Sequence, residues 1–74
     1  MEIYVATIEH RNGVNHYAAK TESALLNAID QYVKYWWDEE LPEKSMPEDM
    51  GDRRDTYFMA AREDLTWDLA ELIE

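Results

Sequence analysis

The dipeptide Asn12-Gly13 constrains this chain more than any other local feature. Asn-Gly is the favoured centre of a two-residue type I′ turn, because both central positions need positive φ. Residues 2–10 before it and 14–20 after it are rich in β-formers. A hairpin is expected there, with Ile8 opposite Tyr17, Ala6 opposite Ala19 and Glu9 opposite His16. One face then carries Tyr4, Ala6, Ile8, Tyr17 and Ala19, which suits a core. The other carries Ile3, Val5, Thr7, Glu9, His16, Ala18 and Lys20, apolar at one end and polar toward the turn.

The pattern then changes period. Thr21 is positioned as an N-cap, with Glu22 in the first turn where the helix dipole favours an acid. Leu25, Ala28, Ile29, Tyr32, Val33 and Trp36 recur at helical spacing, and Asp30 with Lys34 makes an i,i+4 pair on the opposite side. This predicts a helix over 22–39, ended at the latest by Pro42. Trp36 falls on the stripe and is assigned to the core; Trp37 lies beside it and is expected to be partly exposed.

Residues 41–49 read as a loop. Ser45 and Glu48 have capping-box spacing, and Pro47 suits an early helical position. A shorter helix to about Ala61 would put Met50, Arg54, Tyr57, Phe58 and Ala61 on one face, with Gly51 weakening its first turn. The last segment, Leu65-Thr-Trp-Asp-Leu69, fits a strand by alternation, while Leu65, Leu69, Leu72 and Ile73 fit a helix stripe. Trp67 lies off that stripe but on the strand's apolar face, which favours the strand. The expected fold is α+β in the order ββααβ: an antiparallel hairpin plus a third strand, with both helices packed on one face of the sheet.

A chain of 74 residues reads as one domain, 1–74, near the size at which a single core is marginal. It has no cysteine, which excludes disulfides and thiolate zinc sites and fits a reducing compartment. Three tryptophans, five tyrosines and Phe58 supply the burial area instead. The same aromatics argue against disorder. Glu2 follows Met1 with no basic leader, and no apolar run approaches a membrane span. A cytoplasmic location is expected.

Charge divides the chain unevenly. Residues 1–37 hold four acids against three bases, whereas residues 38–74 hold thirteen acids against four, so nearly all of the net −10 lies in the second half. Such a field repels nucleic acid and anionic membrane and attracts basic surfaces. Arg53-Arg54 is the only adjacent basic pair and is flanked by Asp52 and Asp55, so direct nucleic-acid binding is not expected.

Catalytic and metal chemistry find little to work with. The serines, Ser23 and Ser45, fall on a helix turn and in a loop, and acid–base work needs a carboxyl of raised pKa in an enclosed pocket. A chain this small hardly encloses one, so no enzymatic activity and no cofactor is expected. His10 and His16 fall on opposite faces of the hairpin, too divergent for one ion. The run Glu48-Asp49-Met50-Gly51-Asp52 with Asp55 lacks the order of a calcium loop, and no metal is expected.

Trp36-Trp37 followed by Asp38-Glu39-Glu40 is the most informative run. Acids at a helix C-terminus oppose the macrodipole, so stability does not explain them. Two readings stand: a solvated acidic face, or a contact patch in which a ring anchors and acids steer a basic partner. The residues of that patch would be Trp37, Asp38, Glu39, Glu40, Glu43, Glu48, Asp49, Asp52 and Asp55.

The segments Ile3-Tyr-Val-Ala-Thr-Ile-Glu-His-Arg-Asn-Gly13, Tyr35-Trp-Trp-Asp-Glu-Glu40 and Leu65-Thr-Trp-Asp-Leu69 resemble small proteins of phages and mobile elements. In size, acidity and layout the chain is similar to anti-CRISPR and DNA-mimic proteins. The resemblance implies an inhibitor or interaction protein that works by binding, and with the charge it gives the first expectation: a small acidic protein whose carboxylates occupy a basic surface of a nucleic-acid-binding partner. The other expectation is a non-enzymatic accessory domain that homodimerises through exposed aromatics, the acids serving solubility. Monomer and homodimer both stay open.

Overall fold

In a computed structural model describing residues 1–73, the elements follow in the order β1 (Glu2–His10), β2 (Gly13–Ala19), α1 (Glu22–Glu40), α2 (Met50–Ala61) and β3 (Asp64–Glu71). β1 is the central strand, antiparallel to both neighbours, in a sheet of order β2-β1-β3. This is the expected ββααβ, α+β architecture.

The hairpin forms, but its turn sits one residue earlier than Asn-Gly chemistry predicts. Arg11 and Asn12 make the loop, and Gly13 pairs with His10 at φ 138°. Cross-strand partners therefore shift by two: Ala6 faces Tyr17, Tyr4 faces Ala19, and Thr7 rather than Glu9 faces His16. The shift sets a large side chain against a small one on the core face, where the expected register had Ala6 against Ala19 and Ile8 against Tyr17. A shift of two leaves every residue on its predicted face. His10 and His16 accordingly lie on opposite faces. His10 Nε2 donates to Asn15 Oδ1 at 3.0 Å while its Nδ1 accepts from Asn12 N–H; His16 Nδ1 meets Thr7 Oγ1 at 3.1 Å.

Thr21 caps α1, its hydroxyl accepting from Ala24 N–H at 3.1 Å. Leu25, Ile29, Tyr32 and Val33 are buried as the stripe predicts, but the adjacent tryptophans exchange roles. Trp37 is 1% exposed and Trp36 is half-buried. The stripe assumes one neighbour, whereas α1 has two. Trp37 lies about 100° round the helix from Trp36, on the side that meets α2, where its ring centroid is 6.2 Å from that of Tyr57.

Asp49, not Ser45, caps α2, its carboxylate accepting from Asp52 N–H at 3.0 Å. The buried face of α2 is Arg53 and Tyr57, one residue round from the expected Arg54. Arg62 ends the helix in the left-handed conformation (φ 57°, ψ 43°), which turns the chain into β3. The core joins Ala6 and Ile8 of β1, the buried face of α1, Leu41 and Tyr57.

Candidate partner-binding face

The connection between the helices is held by two buried side chains. The Trp37 indole Nε1 donates to the Lys44 carbonyl at 2.8 Å. From the other side, Arg53 Nη1 donates to the carbonyls of Pro47 and Glu48, both at 3.0 Å. The same guanidinium grips Asp30 on α1 in a bidentate pair, Nε to Oδ1 at 2.7 Å and Nη2 to Oδ2 at 2.8 Å. Asp30 and Arg53 are each 7% exposed. The Arg53 hydrogen bonds hold the Asp30 carboxyl below the usual carboxylate range, and those to Asp30 raise Arg53 in return. Lys34 adds the expected i,i+4 contact to Asp30 at 3.4 Å, but Asp30 is not the exposed residue its spacing implies.

Around this fastened turn the nine predicted contact residues separate into groups. Trp37 is a core residue and offers no ring to a partner. Glu40 is half-buried and pairs with Arg11 at 3.4 Å, across to the hairpin turn. Asp49 is the α2 cap, and Asp52 stands in the first turn of that helix, where the dipole favours it. Asp38, Glu39, Glu43, Glu48 and Asp55 are exposed, and among the described residues no salt bridge reaches them. Asp38, Glu39 and Glu40 are the last residues of α1, with no base in its last turn.

A second polar cluster lies where α1, α2 and β3 converge. The Glu63 carboxylate accepts from Tyr32 O–H at 2.6 Å and from Tyr57 O–H at 3.2 Å. Burial first, then the neighbouring carboxylate, pushes both phenols up, so they remain donors through neutral pH. His10, Arg11, Asn12, Trp36 and Glu40 surround Glu63 and Tyr32, leaving a space of about 10 Å³. That is room for one water at most. The cluster anchors the start of β3 to both helices.

Another concavity is a groove of about 450 Å³ between α2 and β3, lined in part by Arg54, Phe58, Met59, Leu65 and Trp67. The Arg54 guanidinium lies 5.2 Å from the Trp67 ring centroid. Among the described residues no group of three or more His, Asp or Glu side chains converges to hold a metal ion, and no helix is long and apolar enough to cross a membrane.

No family model, curated protein or solved structure matches the chain. Any functional reading rests on its own chemistry.

The sequence missed the Arg53–Asp30 clamp. Its one signal was a charged residue, Arg53, four positions before a helical Tyr57, the spacing that places both on one face.

Proposed function

We propose that this chain is a non-enzymatic binding protein that presents the acidic turn between α1 and α2 to a basic surface of a nucleic-acid-binding partner, as an inhibitor of the DNA-mimic, anti-defence type does. One observation carries the reading. The turn's backbone is fastened by Trp37 and Arg53, while the side chains of Asp38, Glu39, Glu43 and Glu48 stand exposed with no salt-bridge partner among the described residues. Holding a loop still while leaving its charges unspent lowers the ordering cost of binding. Acids at a helix C-terminus work against the helix, so a role outside folding accounts for them. They would stand in for phosphates and steer association.

The test is reversal of those four acids to Lys. Folding should survive, and the α1 terminus should gain slightly from cations at its C-terminal end. Wild-type protein on a resin should capture from a cell lysate a protein that itself binds DNA, released by added DNA and by about 1 M salt, where screening acts within about 3 Å. The four-fold variant should capture none. A control reversing Glu2 and Glu22 should capture normally; Asp30 is unsuitable as a control because it is buried. Equal capture by both variants would reduce the turn to a solvated face, and recovery of the chain alone would favour a homodimer.

A further inference from the structure

We propose that the free edge of β3, with the groove between β3 and α2, docks an extended partner segment in which apolar residues alternate with Lys or Arg. Among the described residues β3 has one neighbour, β1. Leu72 N–H donates to Met1 O, and these residues continue the β1–β3 register beyond Glu2 and Glu71. Antiparallel bonding alternates along the ladder. Asp64, Thr66, Asp68 and Ala70 therefore bond inward to β1, and the backbone groups of Leu65, Trp67, Leu69 and Glu71 point outward. Residues 66–69 are all exposed, as an open edge requires.

The side chains at this edge specify the segment. Leu65, Trp67 and Leu69 share the helix-side face with their β1 partners Ile8, Ala6 and Tyr4. Leu65 and Trp67 line the groove, where Met59 is 82% exposed and Trp67 41%, and Leu69 continues the same face beyond it. Asp64, Thr66 and Asp68 lie on the opposite face. A strand paired to β3 repeats with the same period of two. Residues opposite Leu65 and Trp67 enter the groove, the one opposite Leu69 covers the same face, and all three are apolar; those between them face Asp64 and Asp68 and are cationic. Residues 63–71 contain four acids and no base, which fixes the sign of the partner. A second copy is the poorer occupant. Pairing β3 with β3 gathers the acids of two chains, each of net charge −10, on one sheet.

Asp68 makes the edge selective. Its Oδ1 accepts from the outward Leu69 N–H at 2.7 Å, occupying a donor that an incoming strand needs. A Lys or Arg draws that carboxylate away and releases the amide; a neutral or acidic strand meets it in place. This surface does not depend on the acidic turn, and each stands or falls separately.

The experiment follows amide hydrogen exchange in the full chain with synthetic peptides of about the eight-residue length of β3. An alternating Val-Lys peptide should slow exchange at Leu65, Trp67 and Leu69 by roughly tenfold or more. A Val-Glu peptide should not, nor should a Val-Lys peptide with two Val replaced by Pro, which cannot complete a ladder. Asp68→Asn keeps an oxygen for Leu69 N–H but removes the charge, and should weaken the Val-Lys peptide by roughly two- to fivefold. Equal effects of the proline-broken peptide would show charge attraction without strand pairing and overturn the proposal. So would absence of protection at saturation, or protection that grows with protein concentration without peptide, which identifies a second copy as the occupant.

Discussion

The two sides of α2 are built differently, and adjacent arginines mark the difference. Toward α1, Arg53 is buried and donates four hydrogen bonds, two to Asp30 and two to loop carbonyls. Toward β3, Arg54 lies over Trp67 at the margin of an open groove, and its Nε is buried with no hydrogen-bond partner among the described residues. In composition the two residues are equivalent. Their positions, about 100° apart on the helix, make one a bolt between elements and the other a cover over an unfilled space. The saturated side immobilises α2, so the open side can present a fixed surface.

The largest effect that sharpens this contrast is expected at Trp37, on the saturated side. Trp37→Ala removes a fully buried ring and the indole bond to Lys44, costing about 3–5 kcal/mol, enough to unfold most of a population of so small a domain. Trp36→Ala, at a half-buried position, should cost under about 2 kcal/mol. Denaturant titration of both variants distinguishes them; similar midpoints would mean that α1 does not turn Trp37 toward α2.

These tryptophans also show how far the sequence could be read. Elements set by local chemistry were legible: Thr21 as a cap, the α1 period, and Trp67 deciding a strand. Features set by a second neighbour were not. A single stripe on α1 selects Trp36, because the stripe contains no information that α2 packs on the adjoining side. The same omission left Asp30 on the solvent face and Arg53 outside the core. The hairpin register failed for a different reason: the Asn-Gly reading needs positive φ at both central positions, whereas here Gly13 has it and Asn12 does not, and the turn falls on Arg11 and Asn12. At the acidic turn, the sequence identified exposed Asp38, Glu39, Glu43 and Glu48 but not the two side chains that hold their backbone.

Arg53→Ala should cost about 3–5 kcal/mol, because it strands the Asp30 carboxylate in a buried site. Pairing Arg53→Met with Asp30→Leu should recover much of that loss by removing both charges. Thermal unfolding of the three variants checks it. A double variant no better than Arg53→Ala would assign the loss to the loop carbonyls of Pro47 and Glu48 rather than to the ion pair.

The two polar clusters should also bound stability at opposite ends of the pH range. Asp30 has a folded pKa below its unfolded value of about 4. Its contribution is complete above that pH and is lost as pH falls through the folded value; Asp30→Asn should flatten the acid limb. Tyr32 and Tyr57 have folded pKa values above an unfolded value of about 10. Their contribution is complete below pH 10 and is lost as pH rises through the folded values. Tyr57→Phe should cost about 1 kcal/mol at neutral pH and reduce the alkaline loss. Urea midpoints measured across pH would show either limb unchanged if these groups were not responsible.

The smallest effect is expected on the open side of α2. A cation over an aromatic face at a partly exposed site contributes about 0.5–1 kcal/mol, so Arg54→Ala and Trp67→Ala should each be mild beside Arg53→Ala. A double-mutant cycle isolates the pair: the combined variant should lose less than the two single losses together by about that coupling. Arg54→Lys should retain little of it, because an ammonium lacks the planar group that stacks on a ring. A coupling near zero would mean that Arg54 merely lies along the groove wall. A coupling as large as the loss at Arg53 would show that the groove side is clamped as firmly as the α1 side, and the contrast between the two faces of α2 would disappear.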